Sequence, residues 1–308
     1  MNSSGGEDGQ PAAIGLCICT RNRPRELHRA LQAVRRSTVS PAYVVVSDDS
    51  DADQAAHTAL VCATLPWVTL VAGPRRGLGA NRNTCLRRLP PSISFVVFID
   101  DDVVLRPEFV ARTQQAISQA PPRTIITGWE SKNGLRVTPR NLSFWGHQEV
   151  LPRGKDDYHA IVINATVFPR PLFEHAQFDE RLRYGSEEVD MCAQAERASY
   201  RIRFSAELVN DHYPSEINRD EYPRYQEASR LYATYKRYRW LEARPLKAWA
   251  YAALAPLHII AGLAKNGRLV ALPAALRAIA MARGYARAYT ANQGQPDQRL
   301  MGHRLPRQ

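Results

Sequence analysis

The sequence predicts an α/β fold: a mostly parallel sheet flanked by helices, with a helical extension at the C-terminal end. Three observations predict it. Short β-branched or aromatic runs alternate with segments of helical period through the first third of the chain, the pattern of a parallel sheet with right-handed crossovers. Two of those runs end in clustered acids, Ser47-Asp48-Asp49-Ser50 and Asp100-Asp101-Asp102, and in open α/β sheets ligands sit just beyond the carboxyl ends of the strands. From about residue 225 the composition turns helical, rich in Ala, Leu, Trp and Tyr and strongly basic.

The elements follow in order. Residues 1–12 begin with a polar stretch that lacks a basic start followed by an apolar run, so a flexible tail without a secretory leader is expected. Residues 13–19 (AIGLCIC) read as the first strand and Thr20-Arg21-Asn22-Arg23-Pro24 as a turn. Leu27, Leu31 and Val34 then recur at helical spacing. Residues 43–46 form a second expected strand, 52–64 a helix and 68–71 a third strand. The loop Gly73-Pro74-Arg75-Arg76-Gly77-Leu78-Gly79 leads into a helix over 80–89, and residues 95–99 (FVVFI) read as a buried fourth strand. Further on, strands are expected at 124–127 and 160–163 and a helix from about 187 to 199. Residues 225–292 are expected to be helical, and 293–308 to form a second tail.

The formal charge of +11 is unevenly spread. Residues 236–308 hold 13 Lys or Arg and 2 acids, Glu242 and Asp297, and so carry all of it. A nucleic-acid enzyme would more often carry its positive field across the active face, so no nucleic-acid partner is expected. A basic, apolar tail fits an anionic membrane surface better. Residues 248–264 are apolar but contain Pro256 and His258, and at 17 residues they reach only the lower limit of a membrane span. Residues 269–281 are interrupted by Pro273 and Arg277. Helices packed on the body, helices lying on a membrane and a true span all remain open. The five cysteines are odd in number and form no CxxC pair, which argues against a disulfide framework or zinc site and fits a reducing cytosol.

The chemistry begins at Asp100-Asp101-Asp102. Carboxylates at the tip of a buried strand need a counter-charge, and the usual one is a divalent cation with oxygen ligands. A metal there could hold a phosphate-bearing substrate.

Taken together, CICTRNRP, SDDS, RRGLGANRN, FIDDD and FDERLRYGSEEVD, with His212 beyond them, resemble the family-2 glycosyltransferases of the GT-A fold over about residues 13–215. Within that family the order is similar to bacterial rhamnosyltransferase-like and related polysaccharide or glycolipid transferases. The resemblance implies an inverting, metal-dependent transfer of a sugar from a nucleotide-diphosphate donor to an acceptor hydroxyl, in cell-surface glycan, glycolipid or other glycoconjugate synthesis. It implies a catalytic domain over 13–224, with a nucleotide-binding half (13–102) and an acceptor half (103–224), then the basic helical region 225–292.

Residue by residue, the resemblance puts Thr20, Arg21, Asn22 and Arg23 around the base. Asp48 or Asp49 would accept a hydrogen bond from it, a task suited to an acceptor-only carboxylate. Gly77 belongs to a Gly-rich loop, Arg82 would reach the nucleotide, and Asn83 would cap or line the same pocket; Asn81 stands where the family has Ala. Asp100 and Asp102 match the DXD positions: Asp102 would bind Mg²⁺ or Mn²⁺, Asp100 would contact ribose or metal, and His212 would be a third ligand. Asp101 falls among the donor-binding residues, but its side chain should point away from its neighbours' shared face. Glu187, Glu188 and Asp190 match the acidic motif that supplies the general base. Glu188 is preferred by alignment, Glu187 is the alternative, and Asp190 would orient the helix start. Trp129, Trp145 and Asn164 fall where the family lines its sugar pockets.

Two other classes are weighed against this one. A sugar nucleotidyltransferase would want a Gly-rich triphosphate loop near the first strand, and Thr20–Pro24 has no glycine. A degenerate, membrane-recruited binding protein would have no use for the intact acids, which are costly to bury. The expected partners are a UDP-, dTDP- or GDP-linked sugar and a glycan, lipid-linked or small-molecule acceptor. The expected location is the cytoplasm, with the basic helices able to touch the inner face of the cell membrane.

Overall fold

The computed structural model describes residues 11–150, 158–217 and 222–293. Strand β1 (Ile14–Thr20) is buried at every position and lies between β2 (Tyr43–Asp48) and β4 (Phe95–Asp100), parallel to both. β3 (Val68–Ala72) extends this half, parallel to β2. Helices α1 (Pro24–Arg35), α2 (Ala52–Ala63) and α3 (Leu78–Arg88) make the connections. Strand alternation divides the core between the two faces. Leu16 and Ile18 pack with Leu27, Leu31 and Val34 of α1, while Cys17 and Cys19 face Cys85 of α3. All five cysteines are buried and free.

The second half continues the same sheet in mixed directions. In chain order come β5 (Val103–Leu105), α4 (Phe109–Ser118), β6 (Thr124–Lys132), β7 (Leu135–Val137), the small β8 (Asn141–Leu142) and β9 (Gln148–Glu149) ladder, β10 (Thr166–Pro169), α5 (Glu187–Arg197) and β11 (Arg201–His212). The sheet order is β3-β2-β1-β4-β10-β6-β11-β5, with β7 paired to β6. β10 runs antiparallel between β4 and β6, and β5 antiparallel to β11. Residues 160–163, expected as a strand, are not one. Ala160 makes an isolated bridge to Arg140, and Ile163–Ala165 is a 3-10 turn whose buried Asn164 spends its amide on the acid cluster. The strand follows the turn, at β10.

Three helices close the described chain: α6 (Pro223–Lys236), α7 (Pro245–Lys265) and α8 (Leu272–Gln293). Arg237–Leu241 extends α6 by one π-turn. They form a third core, in which Leu231, Tyr232, Tyr238, Tyr251 and Ile279 pack with Leu182 of the sheet domain. Of the two expected tails, only residues 11, 12 and 293 fall within the described residues.

Candidate active site

Strand register assembles the acid cluster. β4 ends at Asp100, and the chain turns through Asp101 and Asp102 into β5, whose Val103 lies opposite His212 at the end of β11. β11 also runs beside β6, so Asn210 lies opposite Glu130. His212 is thereby held between two carboxylates: Nε2 is 3.2 Å from Asp102 Oδ1 and Nδ1 is 3.1 Å from Glu130 Oε1. Burial disfavours its charge, but Asp102 and Glu130 outweigh that and push its pKa up to about 10. Asn164 donates to Glu130 Oε2 at 3.0 Å and accepts from the Asp100 backbone N–H at 2.9 Å.

Asp101, expected to point away from its neighbours' shared face, shares the Arg23 guanidinium with Asp102. Its carboxylate accepts from Thr20 Oγ1 at 2.7 Å and from Arg23 Nη1 at 3.0 Å. Burial lifts its pKa to about 7 against the pull of Arg23. Arg23 also reaches Asp102 Oδ2 at 3.3 Å and donates to the Ile217 carbonyl at 2.9 Å. The Ser215 N–H donates to Asp102 Oδ2 at 2.9 Å.

Arg82 stands on the other side of Asp100. It is 1% exposed, and Nη2 donates to Asp100 Oδ1 at 3.2 Å. Nη1 is buried without a hydrogen-bond partner among the described residues. Asn83, its neighbour, turns elsewhere: it trades hydrogen bonds with the backbone of Phe178, at 2.9 and 3.1 Å. Asn83, expected to cap or line the donor pocket, tethers α3 to the Phe178 backbone, on a different side of the helix from Arg82. Gly77 has φ +107, and a Cβ there would come within 2.9 Å of the Arg183 backbone, so this glycine admits a neighbouring loop.

The first turn lies beside the second acid pair. Asn22, at φ 59, donates its N–H to Ser50 Oγ at 2.6 Å and its side-chain amide to Asp51 at 3.0 Å. Asp48 Oδ1 caps the Ser50 N–H at 2.9 Å, and Asp49 Oδ1 accepts from the Arg75 N–H at 2.9 Å. Burial raises the pKa of Asp49, while Arg75 and Arg21 act against that rise. Gly73 leaves the room: a Cβ there would sit 2.1 Å from Asp49 Oδ1.

The acidic motif begins α5. Ser186 at φ 67 turns the chain, and Glu187 and Glu188 enter the first helical turn, where the dipole favours carboxylates. Glu187 is 2% exposed and its Oε1 accepts the Gly185 N–H at 3.0 Å. Burial, reinforced by Glu188, raises its pKa to about 8. Glu188 is half-buried; desolvation raises its pKa, Arg82 opposes the rise, and Asp100 and Glu130 add to it. Glu187 and Glu188 thus lie within electrostatic reach of Arg82 and Asp100, and Glu188 also of Glu130.

Asp190 has other partners. It is 2% exposed and binds Lys236 Nζ at 2.8 Å, and Lys236 also meets Asp179 Oδ2 at 2.8 Å. Asp190, expected to orient the helix start or the loop and grouped with the catalytic acids, enters a buried ion-pair network that ties α5 to α6, in the same first turn as the glutamates. Tyr232 Oη adds a 2.6 Å hydrogen bond to Asp179. Tyr184 and Tyr222 stack at 3.8 Å over the same end of the cleft. Trp129 packs under Arg136, and Trp145 stacks on His258 of α7 at 4.0 Å.

Sequence reasoning missed Glu130, Lys236 and Asp179. Glu130 had a weak signal, an acid following the apolar run of β6. Lys236 had none, since its partners are 46 and 57 residues away in sequence.

Among the described residues, no three His, Cys, Asp or Glu side chains form a ready metal-holding group. Asp102 and His212 are two donors that would fit a metal ion once the His212 imidazolium gives up its Nε2 proton in favour of that ion. Asp102 Oδ1 is buried without an aligned hydrogen bond, and it stands 3.2 Å from His212 Nε2. Adjacent ligands of an octahedral ion with bonds of about 2.1 Å are about 3 Å apart. Glu187 and Glu188, whose pKa values burial raises, would bind a nearby cation more strongly as they lose their protons.

The fold is that of a GT-A transferase, and the chain belongs to glycosyl transferase family 2, whose profile matches residues 16–174. The succinoglycan biosynthesis protein ExoW of Rhizobium meliloti (strain 1021) is 26% identical over 204 residues, covering 59% of this chain and 62% of that protein. Among solved structures, S. aureus TarS 1-349 in complex with UDP-GlcNAc superposes with a TM-score of 0.63 at 15% identity, over 86% of this chain and 79% of that one. GalNAc-T7 with UDP, GalNAc and Mn²⁺ superposes with a TM-score of 0.58 at 14% identity, over 75% and 48%.

Proposed function

We propose that the chain is an inverting, metal-dependent glycosyltransferase that moves a sugar from a nucleoside-diphosphate donor to an acceptor hydroxyl in glycan or glycolipid synthesis. The observation that supports this reading best is the pair of contacts Arg82–Asp100 and His212–Asp102 just beyond the carboxyl end of β4, with Glu187 and Glu188 within electrostatic reach of Arg82. The bound ligands of TarS and GalNAc-T7, and the polysaccharide role of ExoW, support the same class.

In this reading Asp102 and His212 hold Mg²⁺ or Mn²⁺, with Asp100 beside them. Such a cation, when bound, neutralises charge on the departing diphosphate. Glu130, at His212 Nδ1, would hold the ring in the orientation that leaves Nε2 to serve as the ligand. Arg82 offers its unsatisfied Nη1 to the diphosphate. Arg23, bound to both Asp101 and Asp102, holds the turn between β4 and β5 against the first turn. The first turn and Asp48 or Asp49 receive the base. Glu188 takes the acceptor proton, because Glu187 is fixed to the Gly185 N–H while the half-buried Glu188 faces the cleft.

A donor panel of UDP-, dTDP- and GDP-sugars, followed by nucleotide release with Mn²⁺ and with chelator, tests the proposal. Turnover of one donor, lost in chelator and in Asp102→Ala, is expected. An unchanged rate in Asp102→Ala or Glu188→Gln removes those assignments.

A further inference from the structure

The C-terminal hairpin carries a surface that the transfer chemistry does not use. Helix α7 is apolar on both sides. Ala248, Tyr251 and Ala255 bury one face against α6, while Leu246 (85% exposed), Trp249 (63%), Leu254 (46%) and Leu257 (62%) stand on the other. Their positions follow the helical period, so they form a single stripe. The hairpin tip adds Leu269 and Val270, 54% and 92% exposed. Lys265 and Arg268 flank that tip, and α8 brings Leu276, Arg277, Arg283 and Arg287 to exposed positions. From residue 243 to 293 the sequence has no Asp or Glu. A protein partner reading this stripe would have no acid to pair with, whereas an anionic lipid surface matches both the apolar stripe and the one-signed charge.

We propose that the α7–α8 hairpin docks edge-on onto an anionic bilayer, with the Leu246–Leu257 stripe in the acyl boundary and the tip cations at the headgroups. Both helices have the length and hydropathy of a span. Spanning would surround α7 with lipid, yet its inner face is already packed against the catalytic body through Tyr251 and Tyr238. The helix therefore lies on the membrane. His258, which stacks on Trp145, links the docked helix to the β8–β9 segment.

The full chain would be co-sedimented with vesicles of phosphatidylcholine alone and of equal parts phosphatidylcholine and phosphatidylglycerol, with light scattering of the free protein. Binding to the mixed vesicles only, weakened by salt, is expected. Lys265→Gln with Arg268→Gln should weaken it about thirty-fold, at about one kcal/mol per cation. Leu254→Gln with Leu257→Gln should weaken it at least about tenfold, with unchanged melting because both side chains are exposed. Quenching of tryptophan fluorescence by brominated lipid, reduced in Trp249→Phe, reads the same contact without a polar substitution. Equal behaviour with both vesicle types, absence of binding, or a stable dimer that the leucine pair disrupts would overturn the proposal. None of these residues belongs to the cleft, so failure here leaves the transfer reading standing.

Discussion

At the residue scale, the cleft's behaviour follows from burial set against charge. Glu187 and Glu188 are neighbours in one helical turn, and desolvation raises the pKa of both, that of Glu187 to about 8. A base must be deprotonated, so the acid limb of the turnover profile should lie above the ordinary carboxylate range. An acid limb at an ordinary carboxylate pKa would exclude this pair as the base. Stability should run the other way. Glu187 binds its proton more tightly folded, at about 8, than unfolded, at the ordinary 4.5, so rising pH costs folding free energy between those values. The melting temperature of the free protein should therefore fall across that window, and Glu187→Gln should flatten the fall. Glu188→Gln should lower kcat by about 10²–10⁴ while leaving nucleotide affinity unchanged. Glu130→Gln should weaken Mn²⁺ binding by about 10–100-fold, measured by titration of the ion.

At the element scale, the catalytic helix is held from behind. Lys236, the last residue of α6, is buried between Asp179 and Asp190. Burial would raise the pKa of Asp179, but Lys236 and Arg181 hold it down at about 2. Lys236→Met leaves two carboxylates buried without their cation and should cost about 3–5 kcal/mol in denaturant unfolding. A loss below about 1 kcal/mol would mean that the ions are hydrated and the clamp is not formed. This clamp was invisible in the sequence, because Asp190 sits in an acidic motif and its partner arrives from a separate helix. The strands β1, β2 and β4 were legible, since each is a continuous apolar run buried on both faces. β11 was not: RIRFSAELVNDH mixes charge with apolar residues because much of it is exposed, and a bulge breaks its register between Phe204 and Val209. The misplaced strand at 160–163 has the same origin, since its apolar residues fill the core as a turn.

At the scale of the whole molecule, the site belongs to both halves and to the extension. β4 supplies Asp100, α3 supplies Arg82, β11 supplies His212, α5 supplies the glutamates, and α6 anchors α5 through Lys236. The ordered motifs made the residue set readable before the geometry was known, because each motif sits at a strand end or helix start where polar groups must gather. Distances within the set were not readable: His212 meets Asp102 only through the β5–β11 pairing, and Arg23 meets Asp101 only through the β1–β4 pairing. The basic charge also separates from the cleft, as its location in the sequence predicts. Six of the cations, Lys247, Lys265, Arg268, Arg277, Arg283 and Arg287, lie on the α7–α8 hairpin.

The central claim is that this acidic cleft binds a nucleoside diphosphate through a divalent cation. Calorimetric titration of UDP, dTDP and GDP into the full chain, with Mn²⁺ and then with chelator, tests it most directly. The account predicts saturable binding of at least one nucleotide that requires Mn²⁺ and disappears in Asp102→Ala. Binding of equal strength in chelator, or no binding of any of the three with Mn²⁺ present, would contradict it.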